Sequence, residues 1–345
     1  LILKQRGTLI ECLFFYYLCS MINSVRNTVI AILNKNNYGY ISPSDFNLYA
    51  ANAQMELYEE YFSSYNKTIL AENARSSGTD YADISKPIME VMEGFLESDF
   101  IFPQLSASGN LTNNFYLPSL TTVGNAAYLI NKVIVYTNKI TSGTNTTQSN
   151  FQLIDTTANF ISLGVKVGDI VLNLTTFQSS VVQLVVSLNT LDLQDDIFQN
   201  VLAGESYAIY SGSKYSEAEK VSNSKILLLQ NSLLTNPTLM YPSYTNISDY
   251  MTLYPTSIQG YGAVRNDYFR YPKEPKWTFT SLANGEPVFN QSQLDYQDFE
   301  LPFEDGYKLV VKICQYCGIS IREMEVVQYA MAQEQHEQPS FSMQQ

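Results

Sequence analysis

The spacing of the apolar residues changes along this chain, and that change limits its architecture more than any other feature. Between residues 21 and 103, large apolar side chains recur every three or four positions. From about residue 104 they alternate with polar ones, in short runs broken by Asn, Thr, Ser, Pro and Gly. The first pattern buries one face of a helix and the second one face of a strand, and neither fits the other's backbone. Separate blocks of each predict an α+β protein. A length of 345 residues is enough for about two domains at ~150 residues each.

The helical block reads as a bundle over residues 21–103. Ile22, Val25, Val29 and Leu33 form one stripe. Ser42 then supplies an N-cap, Pro43 a first helical position and Asp45 an acidic first turn, followed by Phe46, Ala50, Ala53, Leu57, Tyr61 and Tyr65 to about residue 75. A third helix is expected near Ser85, with Ile88, Val91, Met92, Phe95 and Leu96 on one face. Residues 1–20 have a basic start and an apolar stretch too short to span a bilayer, with no small-residue cleavage site. They are read as an upstream extension before a native start at Met21.

The alternating block predicts a β-rich domain over residues 104–150 and 211–300, interrupted by a small β-barrel or sandwich module at 151–210. Ser142–Ser149 and Ser211–Ser213 read as its flanking linkers. A short helical stretch is expected from Glu217 to Leu234, and a hairpin around Asn284-Gly285. Residues 301–336 predict a C-terminal helical hairpin. Its first helix carries Leu309, Val310, Ile313 and Cys317 and stops at Gly318, and its second is opened by the capping box Ser320-Ile-Arg-Glu323. Residues 337–345 read as a disordered tail.

The chemistry is narrowed by one histidine. His336 is the only one, and it stands in a polar run near the end of the sequence. A Ser-His-Asp triad, a Cys-His pair and a multi-histidine zinc site each need an imidazole in a folded pocket, so these readings fall. Phosphate-cradling and nucleophile-elbow motifs do not occur. Cys314-Gln-Tyr-Cys317 fits C-x-x-C but lies in an apolar helical run, where two buried thiols are expected. Paired carboxylates such as Glu59-Glu60, Asp195-Asp196 and Glu304-Asp305 read as solvated or capping groups. No catalytic, cofactor-binding or metal-binding residue is expected, and the chain is read as a non-enzyme.

Twenty Lys and Arg against 33 Asp and Glu give a net charge of −13, the reverse of a phosphate-binding footprint. The 26 tyrosines fit surfaces covered by neighbouring subunits, and they equally fit an AT-rich coding sequence. The basic, aromatic stretch from Arg265 to Trp277 suits stacking on a nucleic acid or glycan; docking on a partner as an edge strand is the preferred reading. Candidate interface residues are Arg265, Tyr268, Arg270, Tyr271, Lys276 and Trp277, with Arg322 and Tyr329 in the C-terminal hairpin.

Met21-Ile-Asn-Ser-Val-Arg through Asn37-Tyr-Gly-Tyr-Ile-Ser-Pro-Ser-Asp-Phe46 resembles structural proteins of crAss-like tailed bacteriophages. So does Tyr296-Gln-Asp-Phe-Glu-Leu-Pro302 with the helical segment after it. The module from Leu153-Ile-Asp through Val165-Lys-Val-Gly-Asp169 to Asp195-Asp-Ile-Phe198 and Tyr207 is similar to a small β-domain of phage structural proteins. The resemblance implies a neck ring subunit, a head-to-tail connector localised to the virion and assembled in the host cytoplasm. It implies a homo-oligomeric ring in contact with the portal and other neck or tail proteins. Genomic DNA would pass through without sequence-specific binding, and neither cofactor nor membrane is involved. A tail or receptor-facing component, a phage carbohydrate-active enzyme using paired carboxylates, and a secreted adhesin are the alternatives.

Overall fold

The computed structural model describes residues 21–33, 41–74, 85–119, 124–198, 204–283 and 285–321. Among these residues the chain is mixed α/β, with five α-helices and several sheets, none of them closed into a barrel. The helices are α1 (Met21–Leu33), α2 (Pro43–Ala74), α3 (Ser85–Glu93), α4 (Asn223–Gln230) and α5 (Gly306–Ile321). The upstream extension expected at 1–20, the second helix expected for the C-terminal hairpin and the tail expected at 337–345 lie outside the described residues. Two compact units are formed, one from the two ends of the chain up to Phe95 and from Pro272, the other from the continuous stretch Leu96–Tyr271. Residues 272–300, expected with the β-rich domain, therefore belong to the helical unit.

In that first unit, α1 and α2 both pack on α5, and α3 packs on α2. The stripes foreseen in α1 and in the first half of α2 are buried: Ile22, Val25, Val29 and Leu33 in one, Phe46, Ala50, Ala53, Leu57 and Tyr58 in the other. Ser42 caps α2, its hydroxyl accepting from the Asp45 amide at 3.1 Å. The Asp298 carboxylate accepts from the amides of Met21 (3.2 Å) and Ile22 (2.8 Å), so an anion from the far end of the chain satisfies orphan donors of the first turn of α1. Two helix ends differ from expectation. α3 stops at Glu93, and Leu96 already begins a strand. α5 runs through Gly318 to Ile321, because burial of Leu309, Ile313, Cys314 and Cys317 outweighs the ~1 kcal/mol that glycine costs inside a helix.

The second unit contains three sheets. The first has the order β1 (Leu96–Phe100), β16 (Val264–Arg270), β4 (Ala127–Tyr136), β12 (Tyr215–Glu217), with all neighbours antiparallel. The second has the order β13 (Glu219–Lys220), β14 (Ser243–Ile247), β15 (Tyr250–Tyr254), β3 (Leu111–Tyr116), β2 (Pro103–Leu105). These two share a core in which Val133, Val135 and Val264 meet Phe115, Met251 and Leu253. The seven-stranded sheet of the module has the order β5 (Lys139–Thr144), β11 (Ser206–Tyr210), β8 (Ile170–Asn173), β9 (Ser179–Val185), β10 (Thr190–Leu193), β7 (Gln152–Ile154), β6 (Thr147–Ser149). It surrounds Leu153, Phe160, Val171, Val182, Leu191 and Tyr207.

The residues read as a linker before the module are two of its strands, β5 and β6. They are consecutive in the chain yet occupy opposite edges of the sheet, joined only by Asn145 and Thr146. The Asn145 amide donates to Glu205 O on one side, and the Thr146 amide to Ile154 O on the other. The chain thus crosses between the two edges within a dipeptide, yet no ladder pairs β5 with β6, so the sheet is not closed into a barrel. Gly212 sits against the backbone at Gly168, where a Cβ would overlap the Gly168 carbonyl oxygen. Its amide donates to Asp169 Oδ1 at 3.1 Å. The Ser211–Ser213 turn is therefore packed against the module rather than free of it.

Candidate functional site

Four of the sequence-selected residues lie on or beside β16, whose place in the sheet alters their reading. β16 is flanked by β1 on one side and β4 on the other, so its backbone has no free edge to receive a partner strand. Tyr268 is fully buried, and its hydroxyl donates to Asp99 Oδ2 at 2.7 Å, with Glu97 Oε2 at 3.4 Å. Arg270 Nε pairs with Glu97 Oε1 at 3.0 Å, and Asn125 Nδ2 donates to Glu97 Oε2 at 2.7 Å. Arg265 Nε pairs with Asp267 Oδ1 at 2.9 Å. Tyr271 is 43% exposed and meets Tyr128 edge-on at 5.2 Å. Burial pushes the Asp99 carboxyl above its ordinary range, with Glu97 adding to the effect and the Tyr268 hydrogen bond opposing it. Burial and the Asp99 carboxylate together drive the Tyr268 phenol far upward, so this phenol remains a donor throughout the physiological range.

Lys276 and Trp277 belong to the helical unit. Lys276 Nζ reaches Asp295 Oδ2 at 2.7 Å in the open, and that hydrogen bond holds the Asp295 carboxyl below its ordinary value. Trp277 is 2% exposed. Its indole donates to Asn23 Oδ1 at 3.1 Å, its backbone amide donates to Asn47 Oδ1 at 2.8 Å, and its carbonyl accepts from Asn47 Nδ2 at 3.2 Å. The Arg26 guanidinium lies 3.8 Å from the ring, and Phe279 and Phe289 stack on it. Trp277 thus fastens the 272–300 segment to α1 and α2, and its indole is enclosed by its own chain. The cations at 265, 270 and 276 all pair with carboxylates of the same chain, which takes away the charge that stacking on phosphate would use. Arg322 and Tyr329 lie outside the described residues.

Burial drives the Cys314 thiol to about 11 and the Cys317 thiol to about 12, so both stay protonated and are poor nucleophiles. Among the described residues, no group of three or more His, Cys, Asp or Glu is arranged to hold a metal ion, and no helix is long and apolar enough to cross a membrane. A cavity of about 520 Å³ in the second unit is lined by Asp99, Asp195, Asp196, Phe102 and Phe177 among others. The two phenylalanine rings there lie 4.3 Å apart.

A different surface was missed in the sequence. α4 buries Ile226 alone, while Leu227 and Leu228 face solvent. The helix covers only Asn223–Gln230 of the longer stretch expected, and Tyr215–Glu217 and Glu219–Lys220 are strands. Beyond it, Leu233 is 104% exposed and Leu234 94%, and Leu239, Met240 and Tyr241 are exposed as well. The projection has a defined shape: Asn236 N bonds Ser232 O, Thr238 and Tyr241 exchange backbone hydrogen bonds, and Pro237 and Pro242 are buried. No charged residue occurs from Ile226 to Ser248. That charge-free run, rich in leucine between polar spacers, was the available signal; composition alone makes it look like core.

A scan against protein-family models matched none, and a search of curated proteins found no relative.

Proposed function

We propose that this chain is a virion structural protein, an oligomeric ring subunit of the neck of a crAss-like tailed bacteriophage that joins portal to tail around the DNA channel. The observation that carries the reading is the projection at residues 227–241, with seven large apolar side chains in solvent and no charge among them. Scattered exposed leucines are ordinary on a monomer, but this many large apolar side chains exposed within one short stretch of chain support a surface that another molecule covers. A net charge of −13, repeated around a ring, keeps DNA mobile by repulsion. The virion assignment rests on the resemblance of the 21–46 and 296–323 segments, and the helical hairpin expected over 301–336 is part of the same reading.

Mass spectrometry and cryo-electron microscopy of purified particles test it. The expected result is this polypeptide in stoichiometric multiples in a ring between head and tail, with an acidic lumen. Particles lacking the polypeptide, or a basic lumen, would refute it. A second reading, a tail or receptor-facing component, is favoured by another apolar exposure. Ile161, Leu163, Leu184, Val186 and Leu188 all face solvent, and the Phe160 amide ties two of these stretches together through Leu188 O. Density placing the module on the outside of the tail would select that reading.

A further inference from the structure

The cavity of about 520 Å³ in the second unit has two walls that one buried side chain ties together. Asn173 is 0% exposed. Its Nδ2 donates to Ile197 O at 2.8 Å, and its Oδ1 accepts from the Thr175 amide at 2.8 Å and the Thr176 amide at 3.2 Å. The turn that carries Phe177 is thereby fastened to the segment Asp195–Ile197 on the other side. Ser180 Oγ fixes that segment again by accepting from the Asp195 amide at 2.8 Å. Phe177 holds a φ of 61°, a left-handed conformation that a bulky side chain rarely adopts and that is found at ligand clamps. Its ring is 42% exposed and lies beside Phe102, with Tyr261 5.8 Å away. The walls are thus set by the fold itself, and the volume falls within the ~300–1,000 Å³ of small-molecule sites.

We propose that this cavity binds a linear polyamine, its ammonium groups on the carboxylates of Asp99, Asp195 and Asp196 and its methylenes against the rings of Phe102 and Phe177. The inference goes beyond the ring reading and needs neither a second copy nor the helical unit. Charge selects the class of ligand. Three carboxylates line the space, and among the described residues no Lys, Arg or His does. An anion is repelled there, and a neutral saccharide would leave the charge uncompensated. Asp99 accepts from the Tyr268 hydroxyl and Asp196 from the Phe151 amide at 3.2 Å, contacts that hold each carboxylate in place with acceptor capacity left over. The Asp195 carboxylate has no hydrogen-bond or ion-pair partner among the described residues. Spacing selects an extended cation over a metal ion, since no group of three acids among the described residues is gathered around one point. The rings select an organic one, because aromatic faces attract ammonium groups and cover apolar stems. An ammonium beside Asp99 would also offset the burial that raises its carboxyl.

The test is equilibrium dialysis of the full chain against labelled spermidine in ~0.15 M salt, where charges farther apart than ~8 Å are screened. Saturation at one spermidine per chain is expected. Asp195→Asn and, separately, Asp99→Asn should each weaken binding about tenfold or more, the worth of one charge-assisted hydrogen bond. Phe177→Gly suits the positive φ and should weaken it about threefold through loss of the ring. Glu217→Gln with Glu219→Gln removes two exposed carboxylates of the same unit and should leave binding unchanged. Far-UV circular dichroism checks that each variant folds, and Asp195→Asn, at an exposed position, carries the test if another does not. Equal weakening by the Glu217 and Glu219 substitutions would reveal diffuse attraction to an acidic surface and overturn the proposal. So would binding untouched by Asp195→Asn, displacement of spermidine by equimolar magnesium, or no retention at ~1 mM spermidine, the weak end of specific affinities. None of these outcomes bears on the ring reading, which falls only if virions lack the polypeptide or hold it outside the neck.

Discussion

Replacing Asn47 by alanine removes two hydrogen bonds that join residues 230 positions apart. The Asn47 side chain accepts from the Trp277 amide at 2.8 Å and donates to the Trp277 carbonyl at 3.2 Å. Each such bond contributes ~1 kcal/mol net, and a buried N–H left without an acceptor costs ~1–3 kcal/mol more, so the expected loss is about 3 kcal/mol. With a urea slope of ~2 kcal/mol/M, the unfolding midpoint falls by about 1.5 M. Trp277 is the only tryptophan, so its emission follows the helical unit by itself. Asn47→Asp keeps the acceptor and is expected to retain about half of the loss. Leu48→Ala, at an exposed neighbouring site, stays within ~0.5 kcal/mol of the parent. A midpoint for Asn47→Ala no lower than that of Leu48→Ala would show that the tie between α2 and the 272–300 segment contributes nothing, and the packing account of the unit would fall with it.

Four further outcomes are expected. Tyr207→Phe removes the 2.7 Å bond to the buried Asp155 carboxylate and should destabilise the second unit by ~1–3 kcal/mol in thermal melts. Burial opposes ionisation of Asp155, but hydrogen bonds from Thr157 and Tyr207 outweigh it and hold the carboxyl below its ordinary value. Its stabilisation is therefore present above the unfolded pKa near ~3.9 and lost as pH falls through the lower folded value, and an acid titration of Tyr207→Phe should show a shallower loss. Asp99 has the opposite sign: its folded carboxyl is raised, so its charge opposes folding above that value. Asp99→Asn, which can still accept from Tyr268, should match or exceed the parent at pH 7 and lose that advantage below about pH 4. Peptides containing Cys314 and Cys317 should resist iodoacetamide at pH 8 in the native protein and react after urea; rapid native labelling would contradict their burial. Gly212→Ala forces a Cβ onto the Gly168 carbonyl, a backbone atom that cannot swing aside, and should lower the melting temperature of the second unit by more than any of the surface changes above.

What could be read in advance divides along physical lines. α1 and α2 were legible because one repeating stripe is buried over several turns and Ser42-Pro43 marks a start. β9 and β10 were legible because alternate side chains enter a core, and β8 because its short apolar run is buried on both faces. β5 and β6 were not, since they are edge strands made largely of Thr and Ser, with little apolar alternation to betray them. The stop at Gly318 failed because a buried helix face overrides a local preference. Trp277 was grouped with Arg265 and Arg270 by proximity in sequence, whereas the boundary between the two units falls between Tyr271 and Pro272. Leucines 227, 228, 233 and 234 look identical to core leucines until their neighbours in space are known.

The way the second unit is spliced into the chain carries an implication for how such a protein changes over time. Its first strand and its last are ladder neighbours, Leu96 facing Phe269, and inside it the module repeats the arrangement, Lys139 facing Tyr210. At each level the point of departure and the point of return stand about one interstrand spacing, ~4.8 Å, apart. A cassette whose two ends already touch can be lifted out and replaced by a short turn, or exchanged for another of different size, without asking the host to close a gap. The decorated surface of this polypeptide is thus free to diversify by wholesale exchange while the helices that frame it keep their sequence.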